Sequence, residues 1–305
     1  MKKRTAEKRS EFPEWINQYL DGSRLTDNSK VAYTDRIHSV MSFINQETGT
    51  PMNELSPETI ESVFSIEKYC EKRIAGGCSK KTVENEVKTF SSMFNRVVGK
   101  EHYHSVKDMP EEMQTEYYSM SDEEFDKYQI MVMDAFRKLL IDEDLYKHRD
   151  ALILLLIYEM GLKVSECTGI NLDDIQENYI RINRAGIRKI EIPRNVQKEL
   201  DRYMKERQAL LDEKDNDKFD GTALLIGTHR TRLSNRSIEM IVKNAFGKET
   251  EMTPELLRKV SGIYRYKQTG SVEYVALYLG INTYAAEVIV GNVRKCEGSY
   301  IPIPS

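Results

Sequence analysis

Apolar residues recur at helical spacing in four successive stretches of the first hundred positions, which commits this part of the chain to a small all-α bundle. Phe12, Trp15, Ile16, Tyr19 and Leu20 form the first stripe, and Val31, Ile37, Val40, Met41 and Ile44 the second. Asn28 and Ser29 suit the N-cap of that second helix, because a short polar side chain can accept an otherwise orphaned backbone N–H. Ser56-Pro57-Glu58 opens a third helix with a capping hydroxyl followed by proline at the first helical position, sending Ile60, Val63 and Phe64 inward. After Gly76-Gly77, Ser79 starts a fourth with Val83, Val87, Phe90, Phe94 and Val97 as its stripe.

A chain of 305 residues that is 40% hydrophobic can bury more than one core. The expected division is a basic arm over 1–10, a helical domain over 11–105, a linker over 106–120 and a second domain over 121–305. Ser121-Asp-Glu-Glu124 reads as a capping box opening the second domain. Further on, Tyr179–Asn183 and Ile187–Ile192 alternate about a glycine-containing turn and predict a β-hairpin. Asn195–Leu211 reads as a helix, Leu224–Gly227 as a short strand, and Ile238, Ile241, Val242 and Ala245 as the apolar side of another helix. The expected class is mainly α with a small antiparallel sheet.

Several function classes fall away. Cys70, Cys78, Cys167 and Cys296 are scattered, with no paired spacing, so neither a disulfide framework nor a zinc site is expected. His102 and His104 lack the further ligands a metal needs, and no cofactor motif is present. The longest apolar run, Ala151 to Tyr158, is too short to span a bilayer, and residues 1–10 lack the apolar region of a signal peptide. A cytoplasmic, nucleoid-associated protein is expected.

The formal net charge of -4 conceals an uneven distribution. Residues 1–10 carry five Lys/Arg against one Glu, and residues 108–144 twelve Asp/Glu against three Lys/Arg. Residues 180–245 return to fifteen Lys/Arg against ten Asp/Glu. A single charge run is ordinarily solvated surface, so any polyanion contact must use local basic faces. Lys80, Lys81 and Lys88 lie on the first turns of the fourth helix, where they can meet phosphates. Arg230, Arg232, Asn235, Arg236 and Lys243 gather before and along the helix carrying Ile238, a composition suited to DNA backbone and groove.

Within 148–175, Gly161-Leu-Lys163-Val-Ser-Glu166 and Leu172-Asp-Asp-Ile175 follow an apolar segment. Within 253–290 stand Thr253-Pro-Glu-Leu-Leu-Arg258-Lys259, then Leu277-Tyr-Leu-Gly280-Ile281. These strings resemble the catalytic domain of the tyrosine recombinase (phage integrase) family, and Ser29–Phe43 with Ser79–Val98 resembles its helical, SAM-like core-binding domain. The resemblance implies a buried helix ending at Gly161, double-stranded DNA as partner, and phosphate contacts from Lys163 and Arg258. In the family the second string reads His-x-Leu-Arg-His, then Leu-Gly-His, with a nucleophilic tyrosine nine residues beyond. Here those positions hold Glu255, Lys259, Ile281 and Val290, and Lys163 stands where an arginine is usual. A catalytic lysine of the family's hairpin falls at Ala185, leaving Arg184 or Arg188 to reach DNA.

The resemblance therefore implies a scaffold that binds DNA and is not an enzyme, with no catalytic residue. The expected function is a sequence-specific transcriptional repressor that maintains phage lysogeny by binding operator sites. Two alternatives remain. One is a site-specific recombinase with rearranged catalytic residues, in which Tyr284 or Tyr300 supplies the phenol. The other is an accessory protein of a recombination complex, self-associating through Ile289–Ser305.

Overall fold

The computed structural model describes residues 2–99, 108–113, 120–141, 146–183, 187–212, 220–247 and 249–291. The chain divides into two units, Met1–Tyr117 and Tyr118–Ser305, each with its own apolar core. Most of the expected linker, the His102/His104 pair, Arg184, Ala185 and Tyr300 lie outside the described residues.

The first unit contains α1 (Lys2–Ser10), α2 (Glu14–Gly22), α3 (Asp27–Thr48), α4 (Pro57–Val63), α5 (Ile66–Ala75) and α6 (Lys80–Val98). Its core gathers Ile37, Val40, Met41 and Ile44 of α3 with Val83, Val87, Phe90 and Phe94 of α6. Ser56 caps α4 ahead of Pro57, and Ser79 caps α6, each hydroxyl accepting a backbone N–H three residues on. The cap of α3 is Thr26 rather than Asn28 or Ser29, its hydroxyl accepting from the Ser29 N–H at 3.3 Å. Threonine serves because it takes the extended backbone of a cap one residue earlier, making Asn28 and Ser29 first-turn residues. Val63 is 40% exposed instead of turned inward, since α4 ends there and its stripe overruns the core.

Burial of Glu86 on α6 is compensated by three hydrogen bonds. Tyr69 donates its hydroxyl at 2.7 Å, and Arg73 donates Nε and Nη2 at 2.9 and 2.5 Å. This pins α5 to α6, and burial beside the carboxylate pushes the Tyr69 phenol far up.

In the second unit α7 (Asp122–Ile141) opens on the expected capping box: Ser121 N–H donates to Glu124 at 2.9 Å, and Glu124 N–H to Ser121 Oγ at 3.2 Å. α8 (Lys147–Tyr158) runs through the middle of the core, burying Ala151, Leu152, Ile153, Leu154, Leu156 and Ile157. A short α9 (Val164–Cys167) follows, then β1 (Tyr179–Asn183) and β2 (Ile187–Glu191), antiparallel with Tyr179 opposite Glu191. The remaining helices are α10 (Arg194–Asp212), α11 (Asn235–Phe246), α12 (Pro254–Thr269), α13 (Val272–Leu279) and α14 (Thr283–Val290).

The strand expected over Leu224–Gly227 does not form; only isolated bridges occur there, Asn171 to Ala223 and Ile226 to Arg232. The Leu224 N–H donates to the Ile170 carbonyl, the Leu225 carbonyl accepts from the Leu233 N–H and the Gly227 N–H donates to the Thr231 carbonyl, and side chains supply the rest. Tyr203 donates its hydroxyl to the Leu224 carbonyl at 3.0 Å and accepts from the Ile226 N–H at 3.1 Å. Arg207 donates to the Ala223 carbonyl at 2.9 Å, and Arg149 to the Ile226 carbonyl at 3.4 Å. Backbone polar groups buried among apolar neighbours must be paired, and here α8 and α10 reach in to pair them. The described chain is thus mainly α with one two-stranded sheet, and no described helix is long and apolar enough to cross a membrane.

Candidate nucleic-acid interface

Gly161 ends the central segment with φ +62°, a backbone conformation that side chains strain to adopt, and a Cβ there would press on the Tyr278 ring. The turn that follows is fixed by the buried Glu166, which accepts from the Lys163 N–H at 2.8 Å and from Arg188 Nη2 at 3.1 Å. Lys163 is left exposed at its tip. Beside it begins α11, capped by Ser234, whose hydroxyl accepts from the Ser237 N–H at 3.1 Å. Asn235, Arg236 and Lys243 of this helix are exposed. Lys163, Ser165, Asn235, Lys243, Thr253 and Glu255 line one open depression of about 550 Å³. Two lysines meet there with hydroxyl and amide donors, while Glu255 and Glu239 on its lining limit how closely a polyanion can settle.

The arginines are placed differently. Arg258 is 4% exposed and donates Nε to the Gly161 carbonyl at 2.8 Å and Nη2 to the Leu279 carbonyl. Burial, opposed by Glu255 and Glu166, lowers its affinity for its proton. Arg188 donates Nη1 to the Tyr278 carbonyl at 3.1 Å in addition to its bond with Glu166, and a Cβ on Gly280 would overlap its guanidinium. Together these two arginines hold the last carbonyls of α13. Arg232 bonds Asp220 at 3.2 Å, the Thr168 carbonyl at 2.8 Å and Asn171 at 2.7 Å. Arg230 is buried with φ +60°, at a bend where Asp220 N–H donates to its carbonyl. Lys259 is half-buried, and burial lowers its pKa.

Arg188, Arg230, Arg232 and Arg258 therefore bear on internal structure, whereas Lys163, Asn235, Arg236 and Lys243, of the residues singled out, are exposed donors. The internal roles of Arg149, Arg207 and Arg232 left no mark in sequence spacing, because the carbonyls they serve lie far along the chain. In the first unit Lys80, Lys81 and Lys88 are all exposed on α6, and Lys81 pairs with Glu84 at 3.2 Å.

Val290 is fully buried in an apolar cluster with Val272, Val275, Leu279 and Ala286. Ile281 is half-buried and Glu255 exposed. On the same helix as Val290, Tyr284 is 64% exposed. Tyr278, by contrast, donates its hydroxyl to the Tyr158 carbonyl at 2.7 Å, and burial raises its pKa.

Residues 131–281 match the phage integrase family, and the aligned segment runs from α7 to the turn after α13. The chain carries a phage integrase family domain. Tyrosine recombinase XerC of Thermodesulfovibrio yellowstonii is 27% identical over 231 residues, covering 70% of this chain and 71% of that one. Tyrosine recombinase XerA of Pyrococcus horikoshii is 32% identical over 142 residues, 43% of this chain and 46% of its own. Against XerA, as against XerC of Pseudomonas aeruginosa, the chain spans less than half the relative's length, 46% in each case.

The fold agrees. The Tn1549 transposon integrase in complex with transposon right end DNA superposes with TM-score 0.61 at 15% identity, covering 93% of this chain and 94% of that one. A lambda integrase (75–356) dimer bound to a COC′ core site gives TM-score 0.61 at 16% identity, covering 95% and 98%. The expectation that the chain is not an enzyme is corrected by the integrase-family relatives, which are named tyrosine recombinases. Substitution at Glu255, Ile281 and Val290 does not by itself establish inactivity, and α14 carries an exposed phenol at Tyr284.

Proposed function

We propose that this protein is a site-specific DNA-binding member of the tyrosine recombinases, gripping duplex DNA through the exposed donors of its integrase-family domain and acting on it as a recombinase. The observation that carries this is the convergence of Lys163, Asn235 and Lys243 on one open depression, with Arg236 exposed on the same helix. Helix starts and lysines offer phosphates the N–H and ammonium donors they need, without demanding a particular base. The names of the relatives support strand transfer. Tyr284 is the phenol we assign to it, on the ground that it stands exposed on α14 while Val290 is buried.

A second reading is favoured by that same buried Val290: operator occupancy by the same surface, as in a lysogeny repressor. The readings separate on one measurement. Incubation with nicked suicide duplexes traps a phosphotyrosyl adduct under the recombinase reading, abolished by Tyr284→Phe, while equal adduct from that variant removes Tyr284 from the role. Specific gel shifts with no adduct leave occupancy.

The DNA surface has its own test. Lys163→Gln, Arg236→Gln and Lys243→Gln together are expected to weaken duplex binding and flatten its salt dependence by about three in log–log slope, one counterion per lost contact. Unchanged affinity places the binding face elsewhere.

A further inference from the structure

α1 is held to its unit by polar contacts rather than by the apolar core. It contributes no residue to the core, and its ties include Lys8 to Asp35 at 2.6 Å and Arg9 to Asp21 at 2.8 Å, with Arg9 Nε also donating to Asn17 Oδ1 at 3.1 Å and the Asn17 amide donating back to the Arg9 carbonyl at 3.1 Å. Exposed ion pairs contribute about 0–1 kcal/mol each and weaken with salt. A helix of nine residues does not hold its shape in water without such support. Lys3 and Arg4 are exposed and make no ion pair among the described residues. Two residues past the helix the situation reverses: Phe12 is buried against His38, with ring centroids 6.0 Å apart, so the chain is anchored there.

We propose that residues 2–10 are a releasable phosphate-binding arm, docked on Asp21 and Asp35 in the free protein and transferred to the backbone of the bound duplex. The proposal rests on the DNA-binding function above. Charge density decides the direction of transfer. The docked arm meets two carboxylates, whereas duplex DNA presents about one phosphate charge per 1.7 Å of axis and releases counterions as cations arrive. Once undocked, nine residues extend to about 30 Å, enough to follow a backbone away from the anchor.

The test compares the full chain with a variant lacking residues 1–10, on the duplex used for gel shifts, from low to moderate salt. Because α1 adds nothing to the core, the shortened chain is expected to keep its unfolding midpoint. It is expected to bind DNA about 10-fold or more weakly, with a log–log salt slope shallower by about three to five. Asp21→Asn with Asp35→Asn, which removes the docking site, is expected to strengthen binding several-fold in the full chain and to do less in the shortened one, the difference isolating the arm from net charge. Equal salt slopes for the two lengths, or equal effects of the double substitution in both, overturn the arm while leaving DNA binding intact. A full chain that ignores duplex DNA at low salt overturns the function itself and the arm with it.

Discussion

Arg258 shows how a residue can be recognised from sequence and still be placed differently by the structure. Its position in the Thr253–Lys259 string marks it as a phosphate ligand, but its guanidinium spans from the Gly161 carbonyl to the Leu279 carbonyl. A lysine keeps the charge and loses the fork. Arg258→Lys is therefore expected to lower the unfolding free energy by about 1–3 kcal/mol in urea titration, because one buried carbonyl loses its donor. An unchanged midpoint means the two bonds do not hold the domain. Glu206 offers a pH-dependent counterpart. It accepts the His148 N–H at 3.1 Å, its other oxygen is buried without a partner, and burial pushes its carboxyl up to about 6. The folded state thus favours the protonated acid, a contribution complete below the ordinary carboxylate range and lost as pH rises through about 6. Glu206→Gln is expected to raise stability by about 1 kcal/mol at pH 8, the shift being discounted for partial solvent screening, and to do nothing near pH 4. Stabilisation of equal size at both pH values sinks this account.

Helices were legible where local chemistry alone sets them. Ser56 with Pro57, Ser79, and Ser121 with Glu124 each satisfy N–H groups within four residues, so no distant partner is needed to see the helix start. The hairpin is equally local. The segment 224–227 is not: its apolar run resembles a strand, but its backbone bonds are shared between Tyr203, Arg149 and the Ile170 carbonyl, all distant along the chain. Between α5 and α6 the tie is also non-local. Glu86→Ala removes an acceptor shared by buried Tyr69 and by Arg73, and is expected to cost about 3–5 kcal/mol, read as a lower denaturation midpoint. Loss of under about 1 kcal/mol shows that water replaces the carboxylate.

For the whole molecule, a net charge of -4 misstates how it meets a polyanion. Exposed cations on α1, α6 and α11 act locally, and a duplex within a Debye length responds to them before it responds to the total. Between 50 and 200 mM salt, affinity for duplex DNA is expected to fall on the order of 10²-fold for about four phosphate contacts. A flat profile in gel shifts rules out a grip made of these side chains. The sequence by itself determined the helical class, the hairpin, the caps of α4, α6 and α7 and the integrase-type strings, since periodicity, turn residues and short spacings are properties of neighbours along the chain. Only the tertiary structure decided which cations face solvent and which hold carbonyls, and that Tyr284 is exposed while Val290 is buried. Those outcomes turn on a guanidinium finding an acceptor, or a side chain finding a core, across tens of residues of intervening chain.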